Sequence, residues 1–246
     1  AYSFCTGVVG SLNYVGLQGG LLLADQKILA FGQFTNYNLQ GQNTSQNTFR
    51  YIMRFNSDGS VDSTWTWPSI LNNRIDRAVE QTGGKVIASG PFTAYGATTG
   101  LGFIIRYNTD GSRDATFNSG TGFNVQPTVI LRNPADDSMY VGGGFTSYNG
   151  TTATRLVKLT KDGVIDTTFA GYTVGLSQAP SDLKLADDGG VWVATSLLNT
   201  TWNGSAQSKS GIIKLFPDGT LDTSFDISAV SSSAGPTRIY VRYPTV

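Results

Sequence analysis

Asn56-Ser57-Asp58-Gly59-Ser60-Val61-Asp62 decides how this chain is read, because the same turn returns three times. The later copies are Asn108-Thr109-Asp110-Gly111-Ser112-Arg113-Asp114, Lys161-Asp162-Gly163-Val164-Ile165-Asp166 and Pro217-Asp218-Gly219-Thr220-Leu221-Asp222. Successive Asp-Gly pairs are 52, 52 and 56 residues apart. Each copy follows a hydrophobic run that ends in a base and a hydrophobe, and each leads into Asp-x-(Ser/Thr)-aromatic. A fixed period of about the length of one small sheet is the signature of a repeat architecture.

Superposing the copies predicts four short strands per unit. In the third copy they fall at Thr128–Arg132, Met139–Phe145, Leu156–Leu159 and Ile165–Phe169. The first reversal reads Ala24-Asp25-Gln26-Lys27, Thr82-Gly83-Gly84-Lys85, Pro134-Ala135-Asp136-Asp137 or Asp187-Asp188-Gly189-Gly190, where Gly and Asp tolerate the positive φ of a tight hairpin. The third strand reads Tyr51-Ile52-Met53-Arg54-Phe55, Phe103-Ile104-Ile105-Arg106-Tyr107, Leu156-Val157-Lys158-Leu159 and Ile212-Ile213-Lys214-Leu215. Apolar residues in succession put hydrophobes on both faces, so each sheet must be covered on both sides. Sheets packed face to face around an axis meet that need, and the expected fold is an all-β β-propeller of four-stranded antiparallel blades.

Four complete repeats are expected at about 17–67, 76–119, 127–171 and 180–227, with partial blades at 1–16 and 237–246. Tyr2-Ser3-Phe4 aligns with Thr167-Thr168-Phe169, and Thr237–Arg242 aligns with a first strand. Either the two ends join in an incomplete fifth blade, or the propeller continues in sequence beyond this chain; the missing middle strands favour the second. The residues thus form a single propeller domain or a segment of a larger one. A first residue of Ala rather than Met fits an excerpt or a processed product.

Composition narrows the chemistry. The 246 residues carry 17 basic and 17 acidic side chains, so electrostatic capture of nucleic acid is not expected. Histidine is absent and Cys5 is the lone cysteine, which removes His-based catalysis, His-ligated metals, intrachain disulfides and thiolate zinc sites. Cys5, beside Phe4, reads as buried packing rather than a reactive thiol. No run approaches the roughly 20 apolar residues of a membrane-spanning helix, so membrane insertion is not expected. No cofactor is expected.

The pattern (Phe-Thr-x-Tyr)…(hydrophobe-Arg/Lys-hydrophobe)-x-x-Asp-Gly-x-x-Asp-x-Ser/Thr-Phe resembles the delta-60 repeat, a β-propeller repeat. Phe34-Thr35-Asn36-Tyr37, Phe92-Thr93-Ala94-Tyr95 and Gly143-Gly144-Phe145-Thr146-Ser147-Tyr148-Asn149-Gly150 carry its first half, and the resemblance covers essentially the whole chain. The fourth copy departs, with Ser196-Leu197-Leu198 in place of Gly-x-Phe. The resemblance implies a propeller set in an exported bacterial surface protein or a tailed-phage structural protein, hence an extracellular, cell-surface or virion location. It implies no activity.

Two groups of residues are candidates for function. Asp58 and Asp62 with Asn56 superficially suggest a calcium loop, but the D-x-[DN]-x-[DN]-G pattern with a distant Glu is not met and Glu80 is the only glutamate. The structural reading is preferred: Asp-Gly makes the turn, and the second Asp satisfies backbone N–H groups or the preceding base. A three-residue loop would place Arg54 with Asp62, Arg106 with Asp114, Lys158 with Asp166 and Lys214 with Asp222 on one face; a two-residue loop would separate them. A glycosidase dyad needs two carboxyls at a set separation with one pKa raised, and no blade carries a distinctive pair.

The other group lies in the connections between second and third strands, Asn38–Thr48, Gly96–Gly102, Asn149–Thr154 and Asn203–Ser210, expected to emerge opposite the Asp-Gly turns. One aromatic per copy precedes or enters each: Tyr37, Tyr95, Tyr148 and Trp202. A ring beside amides and hydroxyls suits glycan or protein recognition; the alternative is that each ring packs beneath its own loop. The candidate binding residues are Tyr37, Asn38, Gln40, Gln42, Asn43, Tyr95, Tyr148, Asn149, Trp202 and Asn203. The long Asn38–Thr48 loop is the favoured contact surface. Phe4, Trp65, Phe117, Phe169 and Phe225 share one repeat position and are expected core. Asn-x-Ser/Thr at Asn43, Asn149, Asn199 and Asn203 reads as incidental.

The expected function is a non-enzymatic interaction and structural module of a larger secreted, cell-surface or virion protein of tail-fibre type. Its partners would be glycan or protein on a cell surface, or neighbouring virion or surface subunits. The alternatives are a propeller-type glycoside hydrolase or lyase, and a purely architectural spacer.

Overall fold

The computed structural model describes residues 16–34, 51–66, 71–196, 200–208, 211–225 and 238–240, and every regular element among them is a β-strand. The chain divides into two compact units, Ala1–Gly122 and Phe123–Val246.

In the first unit β1 (Gly16–Leu22), β2 (Ile28–Gln33) and β3 (Ile52–Phe55) form one antiparallel sheet in chain order. Next come β4 (Arg77–Glu80), β5 (Val86–Ser89), the short hairpin β6 (Ala94–Tyr95) and β7 (Thr98–Thr99), and β8 (Ile104–Tyr107). Strands β4, β5 and β8 make the second sheet, and β6 and β7 pair with each other, with β6 also bridged to Leu71 through Tyr95. The second unit repeats this plan. β9 (Pro127–Arg132), β10 (Met139–Gly143), the hairpin β11 (Ser147–Tyr148) and β12 (Thr151–Thr152), and β13 (Leu156–Leu159) give one sheet with its ribbon. β14 (Pro180–Leu185), β15 (Val191–Thr195), the hairpin β16 (Thr200–Trp202) and β17 (Ser205–Ser208), and β18 (Ile212–Leu215) give the other.

The apolar runs do what their pattern demands. Every residue of β5, β8, β10 and β13 is buried, so these middle and outer strands are covered on both faces. The fourth strand of each repeat is shorter than its sequence suggests. It joins the sheet through one bridge, Phe55 with Val61, Tyr107 with Arg113, Leu159 with Ile165 and Leu215 with Leu221. The next residue ends the ladder. Asp62 Oδ1 accepts hydrogen bonds from Thr64 N at 2.9 Å and Thr64 Oγ1 at 2.6 Å, bending the chain into a side-chain-closed turn. Asp114 with Thr116, Asp166 with Thr168 and Asp222 with Ser224 do the same.

That turn delivers an aromatic wedge toward the following sheet. Trp65, fully buried, lies with its ring 6.3 Å from that of Tyr107 and shares a core with Val86, Ala88 and Ile105. Thr66 N donates to Asp110 O at 2.6 Å, tying the wedge to the next Asp-Gly turn. Phe169 repeats the arrangement in the second unit, where it shares a core with Val191, Val193 and Ile213 and Ala170 N donates to Asp218 O at 2.6 Å. Phe117 is also buried, as expected of that repeat position, and Phe225 is half-buried with its ring 4.6 Å from that of Trp192. Phe4 lies outside the described residues.

The close approach of wedge and turn needs glycine. Gly111 has φ 84° and a Cβ there would stand 2.5 Å from Thr66 O and 2.7 Å from the Trp65 ring. Gly83 also has φ 84° but faces open space. Gly83→Ala should therefore cost about 1 kcal/mol, the left-handed backbone term alone. Gly111→Ala should cost about 3 kcal/mol, adding overpacking to that term. Urea denaturation of the two variants checks the difference.

Candidate functional site

The Asp-Gly hairpins close by the three-residue loop. Asn56 N donates to Ser60 O at 2.8 Å and Gly59 N to Asn56 O at 3.0 Å, leaving Ser57, Asp58 and Gly59 as the loop, with Gly59 left-handed. Asp58 Oδ1 accepts from Ser60 N at 2.8 Å and Ser60 Oγ at 2.6 Å, as Asp110 does from Ser112 and Asp218 from Thr220. In the third copy Val164 offers no hydroxyl, and its N–H instead donates to Thr160 Oγ1 at 3.3 Å.

This register places each base on its aspartate. Arg54 Nε is 2.7 Å from Asp62 Oδ2, Arg106 Nε 2.8 Å from Asp114 Oδ2, and Lys158 and Lys214 Nζ each 3.1 Å from Asp166 and Asp222 Oδ2. The pairs in the first two copies are buried, with Arg54 5% and Arg106 3% exposed. A second cation joins them from the first reversal: Lys27 Nζ lies 2.8 Å from Asp62 Oδ2 and Lys85 Nζ 2.7 Å from Asp114 Oδ2. The equivalent positions in later copies are Ser138 and Gly190, and there Lys replaces Arg; in the fourth, Lys214 also reaches Asp188 at 2.6 Å.

The aromatic partner changes with the base. Arg54 lies 4.3 Å from the Trp65 ring centre and Arg106 5.1 Å from that of Phe117. Lys158 and Lys214 instead lie 5.8 and 5.6 Å from Tyr140 and Trp192, their direct cross-strand neighbours. At those strand positions the first two copies carry Leu29 and Ile87. Each cation keeps an aromatic face, and Lys214 also lies 5.3 Å from the ring centre of Phe216.

Burial works to raise the Asp62 carboxyl, yet hydrogen bonds from Lys27, Thr64 and Arg54 outweigh it and hold the group well below the usual carboxylate range. Asp114 is lowered the same way, against burial, by Lys85, Thr116 and Arg106. Asp166 is lowered by Thr168 and Lys158 against its burial, and Asp222 chiefly by its bonds from Ser224 and Lys214. Among the described residues no group of three or more His, Cys, Asp or Glu stands together as a metal cage.

In the second, third and fourth copies the connections between second and third strands form two-stranded ribbons. Their tips are left-handed at Gly96 in the second copy, Asn149-Gly150 in the third and Asn203-Gly204 in the fourth. Tyr148 is 1% exposed and Trp202 3%, while Tyr95 is half-buried. Tyr148 Oη donates to Gly163 O at 2.6 Å and Trp202 Nε1 to Gly219 O at 2.9 Å. The ribbons are therefore tied to the Asp-Gly turns by their aromatics, not turned away from them as expected. With the rings of Tyr148 and Trp202 covered, the packing alternative describes those two residues, and neither offers a face for stacking.

The Thr of Phe-Thr-x-Tyr has its own partner. Asn72 Oδ1 accepts from Thr93 N and Ala94 N at 2.9 and 3.1 Å, and Asn124 Oδ1 accepts from Thr146 N and Ser147 N at 2.9 and 3.1 Å. In the divergent fourth copy Ser177 Oγ accepts from Thr201 N at 2.9 Å. Among the side chains that the described ribbons leave exposed are Thr98, Thr99, Thr151 and Thr152, with the tip residues Ala97, Asn149 and Asn203. Tyr37, Asn38, Gln40, Gln42 and Asn43 lie outside the described residues.

Because Asp62 and Asp114 titrate lower folded than unfolded, their contribution to stability is fully present above about pH 4 and is lost as pH falls through the folded values. Asp114→Asn should cost about 3 kcal/mol at neutral pH, since it strands buried Arg106. It should also flatten the loss of stability below about pH 4. Urea midpoints at neutral and acid pH check both.

Comparison with known proteins agrees with this repeat. The beta-propeller family described as a domain of unknown function, DUF5122, matches residues 23–64, 81–117, 135–169 and 199–225, more than half of the chain, and bears out the delta-60-type resemblance. Among curated proteins nothing matches. Similar solved structures include a gluconolactonase from Xanthomonas campestris, at 15% identity and TM-score 0.45, with 82% of this chain and 59% of that one covered. Others are a protein of unknown function from Bacteroides caccae (12%, TM-score 0.41, 83% and 65% covered) and the extracellular domain of a one-component system from B. thetaiotaomicron (14%, TM-score 0.39, 82% and 28% covered). The chain thus spans less than two thirds of the length of each. Four in-order matches, each carrying the Asp-Gly hairpin and its base, make this chain a member of the DUF5122 beta-propeller family.

Proposed function

We propose that the chain is a non-enzymatic interaction and structural module of a larger secreted, cell-surface or phage virion protein of tail-fibre type, and that it binds glycan or protein through the connections between second and third strands. One observation carries this reading. The third and fourth ribbons turn Tyr148 and Trp202 inward onto turn carbonyls, and the described ribbons expose threonine pairs, Thr98-Thr99 and Thr151-Thr152, and the tip residues Asn149 and Asn203. Uncharged hydroxyls and amides on a fixed frame suit glycan hydroxyls or polypeptide amides, recognised by hydrogen bonds rather than stacking. Asn38–Thr48, the longest of these connections, extends the same uncharged chemistry in sequence.

The alternative is a propeller-type glycoside hydrolase or lyase. A glycosidase general acid needs a raised carboxyl pKa. Every described carboxyl whose pKa departs from its ordinary value is shifted downward, by side-chain and backbone hydrogen bonds and by basic neighbours. That suits turn closure and ion pairing. No helix among the described residues is long and apolar enough to cross a membrane.

A glycan array and a pull-down from surface extracts test the reading. They would compare the chain with a variant whose Asn38–Thr48 connection is cut to the length of Asn149–Thr154, and with Thr151→Ala/Thr152→Ala. Specific binding weakened at least about tenfold, or 1.4 kcal/mol, in either variant with circular dichroism unchanged is the expected result. No specific ligand for any of the three proteins would leave an architectural spacer, and equal specific binding by all three would overturn the assignment of the contact to these connections.

A further inference from the structure

The second Asp-Gly turn has more polar side-chain atoms packed beneath it than the fourth. In the fourth copy the aromatic wedge Phe169, the ribbon residue Trp202 and Leu215, which ends β18, share one core. Their single polar side-chain atom, Trp202 Nε1, donates to Gly219 O of the turn at 2.9 Å. The third copy ends β13 in Leu159 and settles its ribbon hydroxyl in the same way, through Tyr148 Oη to Gly163 O at 2.6 Å.

At the three places held by Phe169, Trp202 and Leu215, the second copy carries Trp65, Tyr95 and Tyr107. Three polar atoms thus replace one. Two of them, Trp65 Nε1 and Tyr107 Oη, are buried without a hydrogen-bond partner, on residues that are both 0% exposed. The indole lies against the turn: its Cε2, bonded to Nε1, would stand 2.7 Å from a Cβ on Gly111. Tyr107 is bridged to Arg113 across the same hairpin. Burial first, and then the Tyr95 hydroxyl, push the Tyr107 hydroxyl pKa up, so the two phenol oxygens lie near one another. The Tyr95 hydroxyl is raised by its own burial and opposed by the backbone N–H of Arg113. The indole N–H and both hydroxyls therefore gather at the turn that contains Gly111.

The indole has a reason of its own, since Arg54 lies 4.3 Å from its ring centre. That contact does not account for a tyrosine at 107, where the third and fourth copies have leucine. Left dry, each buried group would carry its desolvation cost with no bond to offset it. Internal waters occupy sites where two to four such groups meet. We propose that the second repeat binds one internal water molecule here, accepting from Trp65 Nε1 and hydrogen-bonded to the hydroxyls of Tyr107 and Tyr95. The water stands in for the direct bond from ribbon aromatic to turn carbonyl of the third and fourth copies.

Two measurements test this. By NMR, the indole proton of Trp65, assigned by its loss in Trp65→Phe, should show cross-relaxation with a long-lived water. Tyr107→Phe keeps the ring and removes only the hydroxyl. If a water is bridged, the urea midpoint of that variant falls below that of the parent chain. An orphaned hydroxyl predicts the reverse, because its removal deletes an unsatisfied buried group. Trp65→Phe and Tyr107→Phe should also cost less together than the sum of their separate effects, since both break the same bridge. No water signal at the assigned proton, a Tyr107→Phe midpoint equal to or above the parent's, or fully additive losses would each overturn the proposal.

Discussion

Everything in the repeat turns on one buried contact, the base of the third strand against the aspartate that follows the Asp-Gly turn. Taking Arg106 and Asp114 out of water carries a desolvation cost that Coulomb attraction alone need not offset. The structure meets that cost with further bonds. Asp114 Oδ2 holds Arg106 and Lys85, and its Oδ1 takes the N–H and hydroxyl of Thr116. The oxygens that pair the cation also end the fourth strand and aim the aromatic wedge. A single carboxylate thereby sets hairpin register, strand length and the packing of one sheet on the next.

This explains why function is hard to see in these turns. Repeated carboxylates near bases resemble a catalytic or metal-binding array in sequence. In the folded chain the paired oxygens of Asp62 and Asp114 are taken up by cations, hydroxyls and backbone N–H groups, and both carboxyls are pushed toward permanent ionisation. Variation between copies is concentrated instead in the ribbons. There Asn72, Asn124 and Ser177 clamp the base from the incoming segment, and the Tyr148 and Trp202 side chains anchor to the turn carbonyls of Gly163 and Gly219. A tip fixed at its base can change sequence without disturbing the sheet beneath it.

Much of the fold was legible because it rests on short-range rules. Asp-Gly spacing gave the period, consecutive apolar residues gave strands covered on both faces, and the Asp-x-Ser/Thr-aromatic close gave Trp65, Phe117 and Phe169 as core. The base–aspartate pairs followed from one conditional, the three-residue loop, which the Asn56–Ser60 bonds satisfy. What escaped was tertiary. Lys27 and Lys85 recur at one position in two copies, a visible signal, but only folding brings the first reversal to the aspartate. The exchange of Arg with Leu29 or Ile87 for Lys with Tyr140 or Trp192 needs the cross-strand register. The inward set of Tyr148 and Trp202 needs the ribbon to fold back toward its own turn, and no local pattern states that.

A double-mutant cycle between Arg106 and Asp114 tests this account most directly. Stability would be measured at neutral pH for Arg106→Met, Asp114→Asn and the double variant. The account predicts a coupling above about 1 kcal/mol, as expected for residues in one buried network. A coupling below about 0.3 kcal/mol, the scatter of independent sites, would mean that the turn and wedge hold without the pair.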